Sequence, residues 1–453
     1  MIDMLTELTQ GPQLAVASVA LCLVGISFLA ILSRPQRGLL LLAALVPYDG
    51  LLELVPAPGI VSGWKEGLVL LTLGASVISA SSRPLRSIRL PAWALMGLGL
   101  LVYAIASAAF VPYLQSVQAL KIGYFYVLVT LIVLRNPFTS CDRHRLVTIL
   151  MVNGVITSLY GLAQQVIGGD GLSALGYEYN VTIRTAGGIL RSFSTFNQPF
   201  GFGLFVMMAL LVGGSVALAR PGTWRNAAFL VASPILVAGM ATSIVRGAYL
   251  GLAVGILLLA IIRYRALLLL VPTALLVLMN LPAQVLGAVF SSSSLNERGT
   301  GWGQIFDEVL RNPFGIGIGS TGSVAEKVAE ITGSRTAYYQ PDSQYVKMLL
   351  ELGVIGLWLL IALFVTGLTY ALMVSRRSVD PDSALALGVA ATMLAVIAAS
   401  AVSTYLEIFP MDFYFWLLLG VLTCIPTPEQ RSGSTRSHFA LGAAVSRPTS
   451  ANS

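Results

Sequence analysis

Trp224-Arg-Asn-Ala-Ala-Phe-Leu-Val-Ala-Ser-Pro-Ile-Leu-Val-Ala-Gly-Met-Ala-Thr-Ser-Ile-Val-Arg246-Gly-Ala-Tyr-Leu-Gly-Leu-Ala-Val-Gly-Ile-Leu-Leu-Leu-Ala-Ile-Ile-Arg-Tyr-Arg265 is a nearly unbroken apolar stretch of about 42 residues. As one helix it would be roughly 60 Å long, twice the ~30 Å of hydrocarbon in a bilayer. It therefore needs two helices with a tight turn, and the turn falls near Arg246, the one charge between Arg225 and Arg263 at the two ends of the stretch. The stretch lacks the period-two alternation of a barrel strand, and a bilayer satisfies no backbone polar groups, so the spans are helices.

Comparable apolar runs fall at about Gln13–Leu32, Gly38–Val55, Gly67–Ser82, Pro91–Val111, Ser116–Leu134, Leu146–Ile167, Phe200–Ala219, Ala266–Phe290, Ser343–Val374, Ser383–Tyr405 and Phe413–Ile425. With Ala227–Ser243 and Ala248–Ile262 from the opening stretch, they predict an all-α polytopic membrane protein of about 13 transmembrane helices, within a range of 12 to 14. Composition agrees. Charged residues make up 10% of the 453-residue chain where about 25% is usual, 56% is hydrophobic, and mean hydropathy is +0.83, so a soluble domain is excluded. The start, Met1-Ile-Asp-Met-Leu-Thr-Glu7, has no basic n-region, so the first apolar run is expected to be a span and not a cleaved signal peptide.

The few charges orient the chain. Under strict alternation Arg34/Arg37, Arg83/Arg86/Arg89, Arg135/Arg143/Arg145, Arg220/Arg225, Arg263/Arg265, Arg376/Arg377 and Arg431/Arg436/Arg447 share one side, which the positive-inside rule makes cytoplasmic. That places the N-terminus outside and the C-terminus inside. About 17 basic and 4 acidic residues lie within, against about 10 basic and 16 acidic outside. The net charge of +7 and pI near 9.4 thus record topology. Arginines dispersed among short loops imply no nucleic-acid partner.

The expected organisation is an outer N-terminus (1–12), N-terminal spans (13–167), an outer loop (168–199), central spans (200–290), a large outer loop (291–342), C-terminal spans (343–425) and a disordered cytoplasmic tail (426–453). Long loops on one face carry function more often than short turns do. In the large loop Trp302, Ile305, Phe306, Val309 and Leu310 recur at helical spacing, which predicts an interfacial helix anchored by Trp302. Gly315-Ile-Gly317-Ile-Gly319 follows no strand and lacks Gly-Lys-Ser/Thr, so it is expected to be a flexible loop and not a nucleotide cradle.

Both histidines, His144 and His438, fall on the inner side, so outer chemistry must use a carboxylate or a tyrosine as base. Asp342 stands out at the start of the Ser343–Val374 span, where a carboxylate either caps the helix or serves as a base. Tyr338, Tyr339 and Tyr345 are secondary candidates. Among outer cations, Arg246 sits at the tip of a helical hairpin, and Lys121 lies inside an apolar run, either snorkelling or meeting a ligand. Guanidinium groups gathered at a membrane surface suit a lipid-borne pyrophosphate, because each planar fork takes two phosphate oxygens. Cys22, Cys141 and Cys424 show no CxxC spacing, so neither a zinc site nor a disulfide framework is indicated.

Four ordered segments, Arg191-Ser-Phe-Ser-Thr-Phe-Asn197-Gln-Pro199, Thr242-Ser-Ile-Val-Arg246-Gly247-Ala248, Arg298-Gly-Thr-Gly-Trp302 with Asn312-Pro313-Phe-Gly315-Ile-Gly317, and Asp342-Ser-Gln-Tyr345-Val-Lys-Met-Leu-Leu-Glu351-Leu-Gly353, resemble the O-antigen ligase and Wzy-type polysaccharide polymerase superfamily. The resemblance covers about Leu190 to Trp358 in detail. It implies a GT-C-like, metal-independent glycosyltransferase without cofactor, in a bacterial inner membrane. Its donor would be a glycan linked to polyprenyl (undecaprenyl) pyrophosphate on the outer face, with a chain-length regulator and a flippase as partners. Carried over, Arg191, Arg246 and Arg298 bind or neutralise the pyrophosphate, and the start of the helix after the large loop holds the base, for which Asp342 is the candidate; Lys121, Trp302, Tyr338, Tyr339 and Tyr345 are separately expected to contact substrate. The ligase branch has a His-Asn pair where this chain has Asp342-Ser343. That departure favours a polymerase, with a ligase as the alternative and a lipid-linked glycan transporter as a third reading. Glu351, about 2.5 turns along the same helix, faces away from Asp342 and is expected to be structural.

Overall fold

A computed structural model describes residues 28–54, 63–80, 90–179, 182–270, 307–333 and 341–426. Nearly all of it is helix. In chain order come α1 (Gln36–Leu45), a 3-10 segment (Val46–Leu54), α2 (Trp64–Ala80), α3 (Ala92–Ala108), α4 (Tyr113–Tyr124), α5 (Val127–Arg135) and α6 (Ser140–Ala174). A small hairpin follows, β1 (Arg184–Ala186) and β2 (Ile189–Arg191), then α7 (Pro199–Ala219), α8 (Trp224–Thr242) and α9 (Arg246–Ile262). Within the large loop lies α10 (Gly322–Thr332), and after it come α11 (Gln344–Arg377), α12 (Asp382–Ala399), a 3-10 turn (Tyr405–Glu407) and α13 (Met411–Leu422).

Among the described residues five helices, α6, α7, α8, α11 and α12, are long and apolar enough to cross a membrane, and a sixth span results if α4 and α5, bent by 52° at a short break, are counted together. The helices α3, α9 and α13 are apolar but shorter. This is the architecture of a helical membrane protein. The expected runs Gln13–Leu32 and Ala266–Phe290 lie largely outside the described residues. The 42-residue stretch divides as its length requires, into α8 and α9 with the turn at Ser243–Val245.

α12 and α7 sit at the centre, their windows 72% and 78% buried against 28% for α8 on the rim. α12 packs on α7, α9 and α11, and α6 packs on α7 and α8. Small residues let the backbones close: a Cβ on Gly239 of α8 would lie 2.9 Å from Ser158 Cα of α6, and one on Gly388 of α12 would lie 2.8 Å from Val212 Cα of α7. Trp93, Phe202, Phe205, Phe364, Phe413 and Tyr414 fill the interior.

One end of the bundle collects arginines. Arg143 Nη2 lies 2.7 Å from Asp382 Oδ2, Arg263 Nη1 donates to Asp380 Oδ1 at 2.9 Å, Arg220 donates to Asp380 O, and Arg225 donates to His144 O.

α11 contradicts the expectation of a flexible glycine loop. At Gly353 (φ 63°, ψ −162°) the helix breaks, freeing carbonyls that must find other donors. Ile316 N–H bonds Leu350 O at 2.8 Å, Gly317 N–H bonds Glu351 O at 3.0 Å, and Val354 N–H bonds Pro313 O at 3.1 Å. Gly315, Gly317 and Gly319 all have positive φ, and a Cβ at each would strike a neighbour. The loop is therefore a packed strap over the break. Residues 307–311 are helical, with Val309 packed on Val346 and Leu350, whereas the Trp302 end of the expected interfacial helix lies outside the described residues.

Candidate functional site at the arginine hairpin and the helix starts

β1 and β2 pair antiparallel with Arg184 directly opposite Arg191, joined by Gly187 and Gly188 at φ 56° and 80°, the two positive φ values that a tight hairpin turn requires. Arg191 Nε donates to Ser243 O at 3.2 Å, and its guanidinium lies 5.0 Å from the Phe200 ring. Burial, then Arg184, and further Arg246, pull the Arg191 guanidinium below its ordinary pKa, with Tyr249 opposing. Three arginines therefore share one electrostatic neighbourhood.

The segment after β2 is fixed from all sides. Ser192 N–H bonds Thr242 O, Gln164 accepts from the N–H groups of Phe193 and Ser194 at 3.1 and 2.7 Å, and Thr195 donates to Pro47 O at 2.6 Å. Two non-glycine residues adopt positive φ, Ser194 (56°) and Ile244 (51°), three residues from Arg191 and two from Arg246. For a β-branched residue such as Ile244 this is an outlier, of the kind that clusters at functional sites. The segment leads into α7, and the Ser243–Val245 turn leads into α9. Neither Gln198 nor Val245 caps its helix with a side chain.

A turn at residues 400–403 joins this hairpin to the start of α11. Gly247 packs on it, a Cβ there lying 3.4 Å from Val402 Cγ2 and 3.7 Å from Ser403 Cβ. From the other side Gln344 N–H bonds Ser400 O and Ser403 O at 2.9 and 3.2 Å, and Ser343 Oγ donates to Ser400 O at 3.2 Å. Arg246 and Asp342, 96 positions apart, thus flank one turn. Asp342 is exposed. The N-cap of α11 is Ser343, not Asp342, which corrects the capping role expected for the carboxylate. Among the described residues, Gln344 Nε2, Ser400 Oγ and Ser403 Oγ are buried without a hydrogen-bond partner. Such orphans cost about 1–3 kcal/mol each, and three of the nine among the described residues lie at this turn.

Of the other expected site residues, Lys121 is half-exposed and ion-paired to Glu66 at 3.2 Å, beside the Lys65–Asp49 pair at 2.6 Å. The Tyr345 hydroxyl is committed to Ile397 O at 2.8 Å. Arg298, Trp302, Tyr338 and Tyr339 lie outside the described residues. Sequence reasoning counted Arg184 only as one of the outer cations and did not place it with Arg191, although Ala186-Gly-Gly-Ile189 between the two is a two-residue hairpin signal. It also passed over Lys347, which is fully buried and bound to Glu351.

Fold and site define a helical membrane protein that gathers guanidinium groups and helix N-termini at one end of its bundle. Residues 228–361, somewhat under a third of the chain, match the family model described as O-antigen ligase, which supports assigning the chain to the O-antigen ligase-like superfamily. The match spans α8, α9 and the first half of α11, includes Arg246 and Asp342, and suggests a glycosyltransferase-like activity of the O-antigen ligase or polymerase type. No curated protein matches the chain.

Proposed function

We propose that the protein is a polysaccharide polymerase that joins polyprenyl-pyrophosphate-linked glycan repeat units on the outer face of a bacterial inner membrane. The observation that supports this reading is the turn at residues 400–403, against which Gly247, next to Arg246, packs and to which the backbone of Gln344, two residues after Asp342, is bonded.

In this mechanism the acceptor hydroxyl oxygen attacks the anomeric carbon of the donor as the bond to the pyrophosphate oxygen breaks. The hydroxyl proton passes to the Asp342 carboxylate, and polyprenyl pyrophosphate leaves with the bonding electrons. A single displacement inverts the anomeric centre. Arg191 and Arg246, with Arg298 from the large loop, stabilise the charge that develops on the leaving group. Pyrophosphate departs as a stable anion, so this stabilisation serves in place of a general acid or a metal ion. Lys121, Trp302, Tyr338, Tyr339 and Tyr345 are assigned to glycan contacts. The end of the bundle that carries Arg143, Arg220, Arg225 and Arg263 is cytoplasmic in this reading, opposite the Arg191 and Arg246 site, with the N-terminus outside and the C-terminus inside.

Arg246→Ala or Arg298→Ala should leave the protein inserted while lipid-linked single repeat units accumulate and polymer disappears; polymer of normal length in both variants overturns the proposal. The name of the matched family favours a second reading, a ligase that moves finished polymer to a lipid A core. Chain length in a deletion strain separates the two. A ligase loss leaves polymer of normal length on its carrier, whereas a polymerase loss leaves single repeat units.

A further inference from the structure

Lys347 is the most deeply buried charge of the described residues, its side chain 1% exposed, and the site above does not use it. Its ammonium has three hydrogens and three acceptors: Glu351 Oε1 at 2.6 Å, Glu407 Oε1 at 3.0 Å and Thr321 O at 3.0 Å. Each acceptor belongs to a different part of the chain. Glu351 lies one turn along α11, Thr321 stands in the second half of the large loop at the entry to α10, and Glu407 closes the 3-10 turn that follows residues 400–403. Further bonds lock the same segments, Thr321 N–H and Oγ1 donating to Glu351 Oε1 at 3.1 and 2.8 Å, and Ser323 Oγ to Glu407 Oε2 at 3.2 Å. Gly322 at φ +67° leaves room for the ammonium, since a Cβ there would lie 3.2 Å from Nζ. A cavity of about 20 Å³, enough for one water molecule, adjoins the cluster beside Tyr124 and Gln344.

Two carboxylates against one ammonium is a poor arrangement for stability alone. Taking three charges from water is costly, and an apolar replacement of such a cluster is often neutral or better. Burial pushes the Glu407 carboxyl above the usual range against the pull of Lys347, with Glu351 adding to the rise. What the cluster does supply is geometry, because only an ammonium at this point can hold all three segments at once. The segments it holds are the second half of the large loop, the first turns of α11 behind Asp342, and the continuation of the turn shared with Arg246.

We propose that Lys347, Glu351 and Glu407 form a positioning clamp that fixes the second half of the large loop against the start of α11, setting the register between the loop and Asp342. Its part in catalysis rests on the function proposed above; the clamp itself does not. These are positioning residues, since none is argued to touch substrate.

The test uses the full-length protein in nanodiscs and the charge-free variant Lys347→Met/Glu351→Gln/Glu407→Gln, which conserves volume and leaves no buried charge without its counterpart. Spin labels go on Glu326→Cys of α10 and Val379→Cys beyond α11, with Cys22, Cys141 and Cys424 replaced by Ala. Pulsed electron resonance should give one narrow distance for the parent protein and a broadened distribution for the charge-free variant. The same preparation should lose kcat on a polyprenyl-pyrophosphate-linked repeat unit by about tenfold to a hundredfold with KM changed less than about twofold. An unchanged distance distribution overturns the clamp whatever the turnover. A broadened distribution with unchanged kcat overturns its part in catalysis. If the parent protein turns over no such donor, the functional reading fails and the distance measurement alone decides the clamp.

Discussion

Arg184 and Arg191 stand directly opposite each other on a two-stranded hairpin, so two like charges share one cross-strand pair. Such pairs are destabilising, and the partly buried Arg191 feels its neighbour as a pull on its own protonation. A bound anion would convert this repulsion into shared attraction. Arg184→Ala removes one of the two charges that would share the anion. Added inorganic pyrophosphate should stabilise the parent protein and not the variant. Equal stabilisation of both would remove Arg184 from the anion site.

Ile244 holds a left-handed backbone two residues before Arg246. Strain of this kind costs about 1–3 kcal/mol, and glycine relieves it at some entropic cost. Ile244→Gly should raise unfolding stability by about 1 kcal/mol while lowering turnover, because the turn that aims Arg246 loosens. Thermal melting and in-vitro polymerisation measure the two sides. A destabilised variant would show that the turn carries no strain.

Gly353→Ala should be among the most damaging single methyl additions in the protein. Its φ of 63° disfavours any side chain, and the new Cβ would collide with Pro313 O and come within 2.5 Å of Phe314 C. A loss of about 3 kcal/mol or more is expected, read from melting in detergent. Gly214→Ala is the matched control. It lies inside α7 with nothing within 4 Å of the added methyl, and should be neutral or stabilising by up to about 1 kcal/mol.

The Arg263–Asp380 pair at the other end gives a pH dependence of known sign. The hydrogen bond from Arg263 holds the Asp380 carboxyl below its usual range, against a smaller effect of burial. A carboxylate depressed on folding contributes stability that is complete above its unfolded pKa and lost as pH falls through the folded one. Asp380→Asn should thus lower the melting temperature modestly at neutral pH, by no more than the equivalent of about 1 kcal/mol, and the difference should vanish at pH values below the ordinary carboxylate range. A difference that grows on acidification would contradict the assignment.

How much the sequence could say depended on the reach of each signal. Helix length and the turn in Trp224–Arg265 follow from the thickness of a bilayer, so α8 and α9 were legible at once. The grouping of arginines at one end follows from alternation. The break at Gly353 was not legible, because a positive-φ glycine announces a backbone conformation without naming what packs against it, and Pro313–Gly317 lies across a separate segment. The same limit hid the clamp. Lys347 and Glu351 stand four apart on one helix face and could be paired by inspection, but Glu407 lies 56 residues beyond Glu351 and nothing local points to it. The juxtaposition of Arg246 and Asp342 was equally invisible, since it depends on a third segment, residues 400–403.

The strap over Gly353 sets where this protein can exchange parts with another. The chain between Asn312 and Ser323 is stitched into α11 by backbone bonds and by Lys347, so it belongs mechanically to the membrane bundle although its sequence position assigns it to the outer loop. A chimaera that imports a foreign loop should be joined before Asn312. A junction placed at the apparent loop boundary near Asp342 would discard the buttress on which the broken helix depends.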